Sequence, residues 1–379
     1  MRWLGTYASY SPDLIHTFCH EIQNNYELSS LRLLEPMCGS GSLMVEFERL
    51  MIPYTAYDIN PVQIAQCKAK LALAQKIKTD LIQRDLRRIR IKNIETAIVS
   101  RDWFSPDVIT KLLDLYHWIV RYSMDKEPDV MDILYAAFIL SLRRNACITA
   151  SSNPTWLKSG GTIPGTDIKD TFLQAYAFII DWHAKSFKQK RVRNYGTVAY
   201  KDISNLTDKC CYDLCIISPP YCNRLDYKRM FAPEYLFITK HILNLPSEDK
   251  FFGNNEIKDF KTKDYAPTDY EEAVLAEVRR RQAPENKDYY FKYFMKYFSE
   301  LDIILNKILG TLRSRGSAII TIQNSHYKDF TIKLDEIIKS KVNKRHGITE
   351  LASKEKSYFG NLLKAKSRQK ETVLIINKK

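Results

Sequence analysis

The stretch LRLLEPMCGSGSLMVEFERLMIPYTAYDIN, residues 31–60, decides how the chain folds. Leu31–Leu34 is a short apolar run bounded by a glycine turn at Gly39 and Gly41, which predicts a strand followed by a tight loop. SLMVEF then has helical character, and YTAYDIN reads as a second strand ending in Asp58. Strand, glycine turn, helix, strand and acid form the opening of a nucleotide-binding α/β unit. Asp58 falls 17 residues after Gly41, close to the spacing of about 20 at which such an acid meets ribose hydroxyls. The loop lacks a third glycine and lacks the Lys-Ser/Thr of a phosphate loop, so a nucleoside without a pyrophosphate fits it better than a dinucleotide or ATP.

Further along, the pattern changes. No glycine occurs between Gly41 and Gly160, and KLLDLYHWIVRY (111–122) and DILYAAFILSLRR (132–144) repeat apolar residues at helical spacing. Residues 61–194 are therefore expected to form a mainly helical insertion. It ends in the basic run KSFKQKRVR (185–193), which reads equally as a solvated helix end or a phosphate contact. Strands resume at GTVAYKDIS (196–204) and YDLCIISPPY (212–221), so residues 1–60 and 195–379 are expected to make one catalytic domain. A polar tract at 245–288, holding three consecutive arginines at 279–281, shows no strong period. After it, Phe294, Tyr297, Phe298, Leu301, Ile304, Leu305 and Ile308 share one helical face, and SAIITIQNS and ETVLIINKK supply the closing strands.

The balance of 58 Lys and Arg against 44 Asp and Glu, a net charge of +14, points to a polyanionic partner. The eight cysteines, at 19, 38, 67, 147, 210, 211, 215 and 222, form no C-x-x-C pair. With no secretory leader and no long apolar run, reduced thiols in a cytoplasmic protein are expected, with no membrane contact. His16, Cys19 and His20 can share a helix face but have no evident fourth ligand, and no metal is expected.

The second telling stretch is CYDLCIISPPYCNRLDY, 211–227, where a strand ends in Ser218-Pro219-Pro220-Tyr221. Adjacent prolines fix φ and supply no N–H donors, so this edge ends a strand and holds its carbonyls rigidly. Together, EPMCGSG and SPPY resemble the cofactor loop and catalytic tetrad of the S-adenosylmethionine-dependent DNA amino-methyltransferases. The closest similarity is to the SPPY group that methylates cytosine N4. KDISNLTDKCCYDLCIISPPY is similar to that family's pairing of an adenine-contacting acid with the catalytic strand, and SPPYCNRLDY to a subgroup with N-R-x-D-Y after the tetrad. TYASYSPDLI resembles the motif bordering the methionine end of the cofactor.

The resemblance implies a Rossmann-like methyltransferase fold: a mostly parallel seven-stranded sheet with an antiparallel C-terminal strand, plus the helical insertion 61–194 as a candidate DNA-recognition region. It implies S-adenosyl-L-methionine as cofactor, contacted by Tyr10, Pro12, Glu35, Pro36, Cys38, Gly39, Gly41, Asp58, Ile59 and Asp202, and catalysis by Ser218, Pro219, Pro220 and Tyr221. The partners it implies are double-stranded DNA and, genetically, a cognate restriction endonuclease. The chemistry agrees. An exocyclic base amine is a poor nucleophile until acceptors draw its hydrogens and free its lone pair; Ser218 and the Pro219 carbonyl can supply them, and Tyr221 a face for a flipped base. Adenine N6 in DNA, guanine N2 in RNA and a catalytically silent nucleic-acid-binding protein stay open as alternatives. Cys222 follows Tyr221 rather than a proline, unlike the nucleophile of the cytosine-C5 enzymes.

Overall fold

The computed structural model describes residues 3–4, 10–72, 82, 84–86, 99–100, 102–149, 157–162, 167–186, 195–222, 226–244, 251–255, 257, 260–261, 265–286, 288–342, 346–357 and 368–379. Most of the basic run 185–193, residues 223–225 of the N-R-x-D-Y segment, and residues 6–9 of TYASYSPDLI lie outside the described residues.

Seven strands form one sheet: β1 (Leu33–Glu35), β2 (Tyr54–Asp58), β3 (Gly196–Tyr200), β4 (Tyr212–Ile217), β5 (Leu312–Gln323), β6 (His346–Ser357) and β7 (Arg368–Lys378). Their order is β6-β7-β5-β4-β1-β2-β3. Strands β1 and β4, β4 and β5, and β2 and β3 pair in parallel, whereas β7 runs antiparallel to both β5 and β6. This is the expected Rossmann-like sheet with its antiparallel C-terminal strand. Leu214–Ile217 of β4 are all buried, the continuous apolar run of a central parallel strand covered on both faces. Chain order reverses between β1 and β4, which pair directly through Leu33–Leu214 and Leu34–Cys215. In open α/β sheets such a reversal opens a crevice beyond the carboxyl ends of the strands.

The chain falls into two compact units. The first comprises Met1–Tyr26, Cys38–Tyr200 and Lys228–Asp249. It contains α1 (Pro12–Asn25), α2 (Ser42–Arg49), α3 (Pro61–Leu71), the long helices α4 (Pro106–Ser123), α5 (Pro128–Asn145) and α6 (Ile168–Ser186), and the short α7 (Ala232–Phe237). Helix α5 packs against α3, α4 and α6, and its Ile133, Leu134, Ala136–Leu140 and Leu142 are buried around most of its circumference, as befits a helix enclosed by others. The helical spacing of residues 111–144 thus forms helices, joined by two small two-stranded pairings, 148–149 with 158–159 and 99–100 with 161–162.

The second unit is Glu27–Met37, Lys201–Tyr227 and Lys250–Lys379. The aromatic stripe forms one face of α9 (Tyr289–Thr311): Phe294, Tyr297, Phe298, Leu301, Ile304, Leu305 and Ile308 are all buried, and the helix packs on β5. The polar tract holds a helix that its composition hid, α8 (Asp269–Arg281). Thr268 and Glu271 close a capping box at its start, and only Glu271, Val274, Leu275 and Val278 are buried, a stripe too narrow to dominate the sequence pattern. The three arginines at its end are engaged within the unit. Arg279 pairs with Asp288 and stacks on Phe291; Arg280 and Arg281 pair with Glu277, and Arg281 also with Asp329. Among the described residues, no helix is long and apolar enough to cross a membrane, and no group of three metal-ligating side chains is assembled.

Candidate active site

In the first unit, each glycine-loop residue has its own anchor. The Gly39 N–H donates to Asp58 Oδ2 at 2.8 Å, and the Asn60 N–H donates to Asp58 Oδ1 at 2.8 Å. Cys38 N–H donates to the Tyr57 carbonyl at 2.8 Å, tying the loop to the end of β2. Gly41 is the N-cap of α2 in the left-handed region, at φ 77°. A Cβ there would lie 2.2 Å from Cys67 Sγ, so no larger residue fits. Between them, Ser40 is held by Lys70 of α3, whose Nζ donates to the Ser40 carbonyl at 2.7 Å and hydroxyl at 2.8 Å.

This arrangement suits a nucleoside carrying an amino acid. Gly41 offers no side-chain oxygen to cap α2, so the first-turn amides and the positive helix end favour a carboxylate. Asp58 supplies two carboxylate oxygens, each with lone-pair capacity beyond the one amide it accepts from, sufficient for a ribose diol. Burial pushes its carboxyl up to about 6, against the opposing pull of the Asn60 and Gly39 amides. Ile59 follows Asp58 directly at the strand end. Tyr10 packs edge-on to Phe18 with centroids 5.5 Å apart, and Pro12 occupies the first turn of α1 behind the Ser11 N-cap.

The second unit carries the tetrad. Glu35, fully buried at the end of β1, and Pro36 leave the strand that pairs with β4, and Ser218–Tyr221 leave β4 itself. The two segments therefore depart side by side from the reversal point of the sheet. Pro219 is buried, while Ser218, Pro220 and Tyr221 are partly exposed. Tyr297 of α9 donates its hydroxyl to the Pro220 carbonyl at 2.7 Å, and Tyr221 donates its own to Glu371 Oε1 of β7 at 2.7 Å. Gly253 packs against Pro220, and its N–H donates to Glu300 at 3.0 Å. The Pro220 carbonyl thus already accepts one hydrogen bond, from Tyr297. Asp202 caps the short 3-10 turn Ile203–Asn205, accepting from the Ser204 N–H through Oδ1 at 2.8 Å.

Cys222 is not prepared for nucleophilic work. Burial, with Glu300 nearby, holds its thiol far above the usual range, and its carbonyl accepts from the Ser325 hydroxyl. Burial with the charge of Glu35 likewise keeps the Cys215 thiol protonated.

Sequence reasoning missed Lys70, Tyr297 and Glu371. Lys70 left one trace: it is a cation in VQIAQCKAKL, a helix buried on nearly every side. Tyr297 shows in the sequence only as part of a packing stripe, and Glu371 only as the start of a strand.

No family model and no curated protein matches the chain. Nearly all of it overlays loosely on several solved structures, methyltransferases among them. The rRNA methyltransferase aviRa from Streptomyces viridochromogenes gives a TM-score of 0.32 at 9% identity, covering 98% of this chain and 87% of that one. A SAM-dependent methyltransferase from Methanosarcina mazei gives 0.32 at 9%, covering 98% and 99%. The YcgJ protein from Bacillus subtilis gives 0.33 at 4%, covering 96% and 98%. Overlaps this loose carry neither a substrate nor a residue's role to this chain.

Proposed function

We propose that this protein is an S-adenosylmethionine-dependent DNA methyltransferase acting on the exocyclic N4 amine of a flipped cytosine. The observation that carries the reading is the reversal of chain order between β1 and β4, from whose paired ends Glu35-Pro36 and Ser218–Tyr221 depart. Crevices of this kind hold the ligands of open α/β sheets. Bound S-adenosylmethionine would supply a methyl group on a sulfonium, electrophilic without further activation.

The protein's part is orientation and charge. Asp58 accepts from the ribose hydroxyls, and the uncapped first turn of α2 attracts the methionine carboxylate. At the tetrad, Ser218 and the Pro219 carbonyl would accept hydrogen bonds from the amine and free its lone pair for the methyl, the thioether S-adenosylhomocysteine leaving and one amine hydrogen departing as a proton to solvent. Tyr221 gives the extruded base a stacking face, worth about 1–3 kcal/mol. A site-specific modification enzyme, paired genetically with a restriction endonuclease, is the biological setting that this chemistry and the +14 charge support best.

Protein incubated with radiolabelled S-adenosylmethionine and double-stranded DNA should yield N4-methylcytosine in the digested nucleosides. Label only in N6-methyladenine overturns the choice of base; no label in any DNA or RNA overturns the enzyme. Ser218→Ala should lower kcat on the order of a hundredfold while leaving S-adenosylhomocysteine affinity unchanged.

A further inference from the structure

Helix α3 presents Cys67 and Lys70, one turn apart, to the glycine loop. Cys67 sets how closely Gly41 can approach. Lys70 does something costlier: its side chain is brought into the protein interior, 6% exposed, and reaches the loop. Its Nζ donates to both oxygens of Ser40 and lies 5.2 Å from the centroid of the Trp3 ring. Trp3 is itself buried and packed edge-on against Phe178 and Trp182 of α6. Burial pulls the amine down to about 8, with the Cys67 and Cys38 thiols acting in the opposite direction. A lysine that only filled space would be replaced at lower cost by an apolar residue of its length. What this one secures is the orientation of Ser40, the central residue of the loop, immediately before the uncapped start of α2.

We propose that Lys70 is a positioning residue for the amino-acid half of the cofactor. By holding Ser40 through two hydrogen bonds against a Trp3 backstop, it fixes the loop so that the first-turn amides of α2 meet the ligand carboxylate. Its positive charge adds to the field of that helix end. The nucleoside half is served separately, by Asp58. This rests on the cofactor assignment made above.

Binding by the full chain separates the two ideas. S-adenosylhomocysteine carries the amino-acid tail and 5′-methylthioadenosine does not. Isothermal titration of both into wild type, Lys70→Met and Lys70→Arg should show Lys70→Met losing about tenfold in S-adenosylhomocysteine affinity, the size of one charge-assisted contact. Its methylthioadenosine affinity should stay within twofold, and Lys70→Arg should recover part of the loss. Ser40→Ala, a partly exposed change, should cost several-fold and be non-additive with Lys70→Met. Should Lys70→Met fail to fold, Ser40→Ala alone tests the contact by the same selectivity. Equal losses for both ligands, or no loss for S-adenosylhomocysteine, overturn the proposal. If wild type binds neither ligand, the cofactor assignment itself fails.

Discussion

Asp58 combines two demands that pull against each other. In the proposed site the carboxylate accepts from both ribose hydroxyls, which favours its ionised form, yet burial holds the folded value at about 6, above the ordinary 3.8. The folded state therefore holds this proton more tightly than the unfolded chain. Its stabilising effect is complete below pH 3.8, fades as pH rises through about 6, and is absent at neutral pH, where a buried charge is retained. Asp58→Asn should then melt no lower than wild type at pH 7.5 by calorimetry, while losing S-adenosylhomocysteine affinity about tenfold. In wild type, that affinity should weaken as pH falls below about 6 and hold steady from 6.5 to 7.5. A large drop in the variant's melting temperature at pH 7.5 would show that the carboxylate stabilises the loop more than burial destabilises it.

Among the elements, the glycine loop is the most constrained. Gly41→Ala places a Cβ in a left-handed conformation, costing about 1–2 kcal/mol, and drives it to 2.2 Å from Cys67 Sγ. Denaturant unfolding should show a loss of roughly 2 kcal/mol or more. Adding Cys67→Ala should return only part of it, because the Cys67 Cβ would remain 3.0 Å away. This loop was legible in the sequence because everything that defines it is local: an apolar run, two glycines, a helix and an acid within 30 residues. The stripe of α9 was legible for a similar reason, since helical spacing records its own burial. The supports of the site were not. Lys70 meets Ser40 across 30 positions, Tyr297 meets Pro220 across 77, and Tyr221 meets Glu371 across 150. Contacts of that separation leave no periodic mark, and each residue has an adequate local explanation. Helix α8 was hidden for the opposite reason: its capping box is local, but a stripe of four buried positions in a polar segment gives the helical period little amplitude.

At the scale of the molecule, the sequence specified the sheet through its central strands and left the distribution of charge open. The three arginines at 279–281 stand side by side in the sequence, yet each is paired with an acid of its own unit, and exposed pairs of this kind contribute little to stability. The net charge of +14 must therefore express itself through other cations. The two compact units are also interleaved along the chain. The one carrying Gly39–Gly41, Asp58 and Lys70 has all of its segments by Asp249, whereas the one carrying the tetrad needs residues up to the final strand. Tyr221 is held by Glu371, 150 positions further on. During translation, the segments carrying Gly39–Gly41, Asp58 and Lys70 thus emerge before Glu371, so the glycine loop can close while the Tyr221 hydroxyl still lacks its anchor.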